Sequence, residues 1–440
     1  MEISSTGFLD WQGYSLTDQD CKITNNGAKD GTEDGYIHFQ DGSEGVIKFA
    51  EISYMGAAVA NKSGIETSNV DGDVVNEGLL IDGSNIHDGY TGVDIDDIST
   101  YIVIKNSTIH SNANRGIIVN NGDSYNIIYG NEIHSNAAQG IRLEGGDYNL
   151  IAHNNIHTNT GSGTDGVNLQ DAATYNMIFG NTISGNGDMG IGSAHATDDF
   201  NQVINNTIDN HTDDSIEIPG DNWVLKNNIF SNSNEGLDDN GTGNTIQNNF
   251  FYNNTSDGST GTNPITGTDP SYASTATSSA DFLYLNTTST ALGVGINLFT
   301  NSSSSGVTNV GARLGYVKNE TDSRAFNWLQ QAHDHASTTA GDTITAYAID
   351  VVSSTIASTT SAKASVATST YFISMTAAGA GTVTEDNQHE GFYAYFTSGL
   401  NRGRYYLITD TTSSTDELVI LSEQATSTFN HADAFTIVDR

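Results

Sequence analysis

The chain has 440 residues and carries 53 acidic against 15 basic side chains, a formal charge of −38. That balance repels nucleic acid and anionic membrane surfaces, and no apolar run of about 18 residues is present to span a bilayer. Only 15% of residues are charged, so the polar surface is made of Asn, Ser, Thr, Asp and Gly, a composition common in extracellular and virion-surface β proteins and suited to saline surroundings or calcium.

The opening Met1-Glu2-Ile3-Ser4 is no signal peptide, so a secreted form has lost its leader or leaves by another route such as cell lysis. Cys21 is the single cysteine and excludes an intrachain disulfide. Residues 1–35, with Trp11, Tyr14 and a loop-like Gly27 to Gly35 stretch, are predicted to cap the repeat that follows, because an open repeat end exposes strand edges and core. Tyr36 to Phe39 and Val46 to Ile52 read as its first coil. The 34 residues from Ile52 to Ile86 exceed one coil, which predicts a loop of about ten residues near Asn61 to Asn76.

From residue 79 to 254 one pattern recurs. Anchored on Ile86, Ile109, Ile133, Ile156, Ile183, Ile208, Ile229 and Phe250, the gaps are 23, 24, 23, 27, 25, 21 and 21 residues. Asparagines stand two before the anchor (Asn131, Asn154, Asn181, Asn206, Asn227, Asn248), three after it (Asn112, Asn136, Asn159, Asn186, Asn232, Asn253) and seven before it (Asn126, Asn149, Asn176, Asn201, Asn222). The column five before is apolar, from Ile81 and Ile104 to Val203 and Val224. Further along, a second strand begins at Gly92-Val93, Gly116-Ile117, Gly140-Ile141, Gly166-Val167, Gly190-Ile191 and Gly236-Leu237, with Ser215-Ile216 as the departure. A period of 20 to 50 residues without helical spacing predicts a solenoid of short strands, in which each coil buries its apolar face only by stacking on the next, roughly 4.8 Å away. Asparagine suits the corners because it tolerates left-handed backbone and its amide bonds to the same amide one coil on.

This pattern resembles the right-handed parallel β-helix repeat family over about residues 36–254, which implies an all-β fold: a right-handed parallel β-helix followed by a small antiparallel β domain. After Phe250 the register is expected to dissolve into Thr255 to Gly267. The series Asp269-Pro270, Asp281-Phe282, Ser289-Thr290-Ala291 and Val310-Gly311-Ala312 resembles the closing segment of bacterial β-helix proteins, with Thr290 where proline is usual, so residues 255–320 are assigned as closing segment. Residues 321–440 read as antiparallel strands, with Ser353 to Ser369 as an exposed loop. The run from Gly391 to Ile408 with Ala432 to Ile437 resembles a module of phage tail and tail-fibre proteins, which implies virion attachment or homo-oligomerisation.

Alternation along the second strand points Val93 and Ile95, Ile117 and Val119, Ile141 and Leu143, and Val167 and Leu169 inward. Asp94, Ile118, Arg142, Asn168, Gly192 and Glu217 then form one outward column, with Asp96, Asn120, Glu144, Gln170 and Ala194 beside it. Seven coil steps give a polar groove of roughly 34 Å, long enough for a polysaccharide. Asp94, Asp96, Asn120, Asn168, Gln170 and Glu217 are the expected substrate contacts. Arg142 and Glu144, roughly 7 Å apart on one strand, combine a cation for a sugar carboxylate with a general acid or base; the plainer account is a solvated ion pair. Asp165 in Thr164-Asp165-Gly166 and Asp214 in Asp213-Asp214 resemble the paired carboxylates of polygalacturonase-type hydrolases. The leading asparagine is absent here, the motifs lie two coils apart instead of one, and no Gly-His-Gly or Arg-Ile-Lys follows. His110, His134 and His157, with His87, stand directly after the anchor and stack outward, which suggests a zinc, copper or nickel site or a plain inherited ladder. Asp94, Asp96 and Asp97 are candidate calcium ligands. The expected protein is therefore an extracellular, cell-surface or virion-surface polysaccharide-binding β-helix, a hydrolase or lyase if an enzyme. The alternative is a non-catalytic adhesin or spacer, and composition does not decide between them.

Overall fold

In the computed structural model, residues 1–3, 8–12, 21–24, 35–59, 62–70, 78–120, 122–161, 163–279, 282–286, 288–292, 294–295 and 310–311 are described, with the backbone of short strands between residues 317 and 438. Tyr14, the 27–34 stretch, Asp281, Ala312, Gly391, Phe392 and residues 432–434 lie outside the described residues. The chain divides into two units, one of residues 1–72, 77–270 and 310–312 and one of residues 73–76, 271–309 and 313–440.

Successive coils of the first unit contribute their strands to three parallel sheets. The first sheet runs from Glu2–Ile3 to Ser256–Gly258 with 11 described strands, the second from Phe8–Gln12 to Thr245–Gln247 with 10, and the third from Cys21–Thr24 to Ile265–Thr266 with 11. The expected cap thus supplies the first strands of all three sheets. The expected loop around residues 61–76 contains the first-sheet strand Ile65–Ser68, and residues 71–77 lie outside the described set. The coil does not dissolve after Phe250 either: Ser256–Gly258 pairs with Glu235–Asp239, and Ile265–Thr266 pairs with Phe250–Tyr252.

The core is a stack of isoleucines. Ile109, Ile133, Ile156, Ile183 and Ile208 of the third sheet are fully buried, and each faces its counterpart one coil on. Burial of one such side chain is worth about 1.5–3 kcal/mol. Three asparagine ladders close the corners. In the ladder between the second and third sheets, the Asn131 N–H donates to Asn154 Oδ1 at 2.9 Å, Asn154 to Asn181 at 2.8 Å and Asn181 to Asn206 at 2.8 Å, while the Asn131 and Asn154 side-chain amides donate to the Ile104 and Ile128 carbonyls at 2.8 and 2.9 Å. The corner glycines are explained by close approach: a Cβ on Gly140 would meet the Gly166 carbonyl oxygen at 2.7 Å.

The sequence register is one residue out from Asn222 onward. Leu225, Phe230 and Phe251, not Val224, Ile229 and Phe250, pair with the inward residues of the preceding coils. The Asn206 N–H accordingly donates to Asn228 Oδ1 at 2.8 Å, and Asn228 to Asn249 at 2.9 Å. Asn222, Asn227, Asn232, Asn248 and Asn253 instead occupy the left-handed corner position, with φ between +53° and +61°. Adjacent apolar pairs, Ile229-Phe230 and Phe250-Phe251, and adjacent asparagine pairs such as Asn227-Asn228 made two registers equal by pattern. A one-residue shift exchanges the inward and outward sets.

Gly311 donates its N–H to the Asn227 carbonyl at 2.8 Å; a Cβ there would lie 2.6 Å from Ile229 Cδ1. In the second unit, Val317–Asn319 pairs antiparallel with Arg324–Phe326 and Ile344–Ala346, and Phe372–Ala377, Tyr393–Phe396, Tyr405–Thr412, Glu417–Leu421 and Phe435–Val438 pair antiparallel with one another. Ala362–Ser369, within the stretch expected as a loop, is a strand paired with Phe372–Ala377. Val366 and Thr368 give it β-branched residues that favour a sheet.

Candidate functional site on the first sheet

Strand pairing places the outward residues of the first sheet in the two expected columns. Asp94 faces Glu66 and Ile118, Ile118 faces Arg142, Arg142 faces Asn168, and Asn168 faces Gly192; Asp96 faces Ser68, and Glu144 faces Gln170. These columns carry three clusters.

The first joins Asp94, Asn120 and Asp96. Asn120 Nδ2 donates to Asp94 Oδ1 at 2.8 Å and to the Ile95 carbonyl at 3.1 Å, and the Asp97 N–H donates to Asp96 Oδ1 at 2.9 Å. Burial raises the Asp94 carboxyl to about 6, against opposing hydrogen bonds from Ser63 and Asn120.

The central cluster joins Arg142, Glu144, Asn168, Gln170 and Asp165. Arg142 Nη2 donates to Gln170 Oε1 at 2.6 Å and lies 2.9 Å from Glu144 Oε2. Asp165 sits before its strand begins, yet its carboxyl lies on the sheet face. A Cβ on Gly192 would meet Asp165 Oδ2 at 2.3 Å, so the missing side chain at Gly192 is the seat of that carboxyl. There Asp165 Oδ2 accepts from Asn168 Nδ2 at 2.6 Å, and Oδ1 accepts from the Met189 N–H at 3.2 Å. Burial pushes the carboxyl up to about 6.

The third cluster is acidic. The corner backbone stacks Asp165, Met189, Asp214 and Glu235 one coil apart, each carbonyl accepting from the corner amide of the coil before. Burial, with Asp213, Glu235, Asp238 and Glu217 nearby, raises Asp214 to about 7, and burial followed by Asp238, Asp213 and Asp188 also raises Glu217. The structure therefore joins Asp165 to Asn168, whose strand neighbour Arg142 holds Glu144 and Gln170, keeps Asp214 and Glu217 together further along the face, and leaves Asp94, Asp96 and Asn120 as a separate group.

The histidine column lies on a different face. His87, His110, His134 and His157 project from the third sheet with ring centroids 4.9, 4.9 and 5.0 Å apart and planes within 7° of parallel. Stacked rings aim their in-plane nitrogens side by side, whereas a shared metal needs them convergent. Nδ1 of His110, His134 and His157 meets the hydroxyl of Ser111, Ser135 and Thr158 at 3.0–3.1 Å, and Nε2 of His110 and His157 meets Asn85 at 3.1 Å and Glu132 at 3.4 Å. Burial and the neighbouring imidazoles lower His110 to about 4. Among the described residues no group of three or more His, Cys, Asp or Glu side chains is placed to hold a metal ion; this covers both the histidine column and the aspartates proposed for calcium.

Two features escaped the sequence reading. Tyr101, Tyr125, Tyr148, Tyr175 and Phe200, all at φ between +55° and +63°, stack at 5.7, 5.3, 5.0 and 4.8 Å along one corner. Their constant place eight residues before the anchor was the available signal. Asp123, ten before it, is fully buried and accepts from the Ser99 and Asn120 amides; burial raises its carboxyl to about 8.

A family model described as right handed beta helix region matches residues 48–201, and one described as periplasmic copper-binding protein (NosD) matches residues 159–283. Similar solved structures include a periplasmic alginate epimerase double mutant (18% identity, 57% of each chain, TM-score 0.40), pectate lyase Pel9A (15% identity, 71% of this chain and 85% of that one, TM-score 0.45) and the enzymatically active domain of tailspike protein 2 from bacteriophage CBA120 (12% identity, 57% and 42%, TM-score 0.41). The chain spans 57% of the length of that epimerase. No curated protein sequence matches. Residues 159–283 supply no histidine or cysteine cluster for a copper ion: their only histidines are His195, beside Asp171 at 3.5 Å, and the buried His211, whose Nε2 faces the Ile183 carbonyl at 3.3 Å, and they contain no cysteine. Three parallel sheets wound coil upon coil, with a core of stacked isoleucines, asparagine-laddered corners and a matching family model, make this chain a right-handed parallel β-helix protein.

Proposed function

We propose that the chain holds an extended polysaccharide along the outward face of the first sheet and cleaves it by carboxyl acid–base chemistry, outside the cell or on a virion surface, with the C-terminal module serving attachment or oligomerisation. The observation that carries the reading is the seating of Asp165 over Gly192. Two coil steps separate Asp165 from Asp214, roughly 9.6 Å. The Asp165 carboxyl leans one coil forward, onto Gly192 and the Met189 amide, in the direction that shortens this span toward the roughly 6.5–9.5 Å at which two carboxyl groups leave room for a hydrolytic water.

Burial raises both carboxyls, Asp165 to about 6 and Asp214 to about 7. Near neutral pH one can therefore hold the proton it gives to the leaving glycosidic oxygen, Asp214 in this reading, while Asp165 takes the proton of the attacking water. Asn168 holds the Asp165 carboxyl in place, while Arg142, Glu144 and Gln170 position the sugar beside it.

The test is to incubate the protein with bacterial, algal and plant polysaccharides, with and without calcium, and follow new reducing ends together with ultraviolet absorbance from unsaturated uronate. The expected result is reducing ends without that absorbance, an optimum between about pH 6 and 7, and a rate at least about 100-fold lower in Asp165→Asn or Asp214→Asn. Absorbance growing with the reducing ends would replace hydrolysis by elimination. Silence across the panel would favour the adhesin or spacer.

A further inference from the structure

Among the described residues, two buried polar atoms on the first-sheet face have no hydrogen-bond partner: Arg142 Nε and Asn168 Oδ1. They belong to residues that face each other on adjacent strands, about 4.8 Å apart along the solenoid. Arg142 Nη2 is engaged with Gln170 and Glu144, and Asn168 Nδ2 with Asp165. An unpartnered buried group costs about 1–3 kcal/mol, and two of opposite sense on neighbouring strands point to a ligand. Arg142 and Glu144 keep 16% and 32% of their side-chain surface exposed and border the open face, while Asn168 keeps 5%.

The chemistry selects the ligand. One free donor beside one free acceptor suits a hydroxyl, which accepts from Nε and donates to Oδ1. A carboxylate only accepts; it would meet the Asn168 carbonyl oxygen and the Asp165 carboxyl, and Glu144 already balances the guanidinium. Asp94, Asp96 and Glu217 add negative charge on either side. We propose that Arg142 and Asn168 form a hydroxyl subsite, and that the glycan held on this face is uncharged where it crosses them, not a polyuronate. This rests on the polysaccharide reading above and reverses the expectation that Arg142 neutralises a sugar carboxylate.

The experiment is affinity electrophoresis of the full chain through gels containing galactomannan, xyloglucan or dextran, and through gels containing polygalacturonate or alginate. Native protein is expected to be retarded by at least one uncharged glycan and by neither polyuronate, with retardation unchanged between 50 mM and 1 M NaCl. Arg142→Lys keeps the charge beside Glu144 but removes Nε, and is expected to weaken that retardation at least tenfold with an unchanged melting temperature. The salt series on native protein decides the matter should the variant fail to fold. Stronger retardation by a polyuronate, or by the uncharged glycan only at low salt, overturns the inference and leaves the polysaccharide reading standing. A fully folded Arg142→Lys protein retarded like the native one also overturns it. Retardation by none of the five overturns the polysaccharide reading itself.

Discussion

The outward faces of the first and third sheets are built on the same coils yet differ in kind. On the third sheet one residue type repeats, four histidines stacked at 4.9–5.0 Å. On the first sheet the matching column changes at every step, through Glu66, Asp94, Ile118, Arg142, Asn168 and Gly192. In a solenoid, repetition of one side chain is sufficiently explained by contact with its own copies above and below. A column that breaks repetition, seats a carboxyl over a glycine and leaves buried atoms unpaired has no such explanation. Uniform columns should therefore act on stability alone, most strongly where their side chains are buried, as in the asparagine ladders, and the varied column should govern activity.

The asparagine ladder gives the largest expected effect. Asn154→Ala removes the acceptor of the Asn131 N–H and side-chain amide and the donor to the Ile128 carbonyl. At about 1–3 kcal/mol for each buried group left unpaired, urea unfolding should show a loss of about 2–5 kcal/mol. A loss below about 1 kcal/mol would mean that uniform columns do not carry the fold.

Asp123 sharpens the comparison through pH. Its folded value of about 8 lies above its ordinary 3.8, so the native state holds a proton that the unfolded chain has released. Stability is then lost as pH rises from about 4 to about 8. His110 and His211, both lowered to about 4, act in the opposite sense, costing stability as pH falls from about 6.5 to 4. Above pH 7 the histidines are silent, so Asp123→Asn should reduce the decline in melting temperature between about pH 7 and 8, leaving the part that Asp214, raised to about 7, contributes. An unchanged slope would remove Asp123 from the account.

The smallest effect is expected at the histidine stack. His134→Ala takes out a half-buried ring with one side-chain hydrogen bond to Ser135, which predicts a loss of at most about 1 kcal/mol and no change in glycan binding. Any loss of glycan binding at matched folding would make the third face functional.

Much of this was legible in the sequence because a solenoid writes its register into the spacing of isoleucine and asparagine. The outward columns of Asp94, Arg142, Asn168, Glu144 and Gln170 followed from alternation alone. Register failed from Asn222 onward because Asn227-Asn228 and Phe250-Phe251 offered two equal choices, which strand pairing and the ladder hydrogen bonds distinguish. The lean of Asp165 onto Gly192 was not legible: the seat and the carboxyl lie in consecutive coils, and spacing says nothing about which way a side chain bends. The histidine column was read correctly as a stack, but ring orientation, which decides whether nitrogens converge on a metal, is a matter of χ angles and neighbouring hydroxyls.

The most direct test sets one residue of each face against the other. Reducing-end release from the best glycan of the panel should be measured for native protein, Glu144→Gln and His134→Ala at matched folding. The account predicts that Glu144→Gln loses at least about 90% of the rate, as expected for a group that positions substrate and carries charge at the site, while His134→Ala keeps the native rate. Equal rates in native protein and Glu144→Gln, with loss in His134→Ala, would contradict it and move the site to the third sheet.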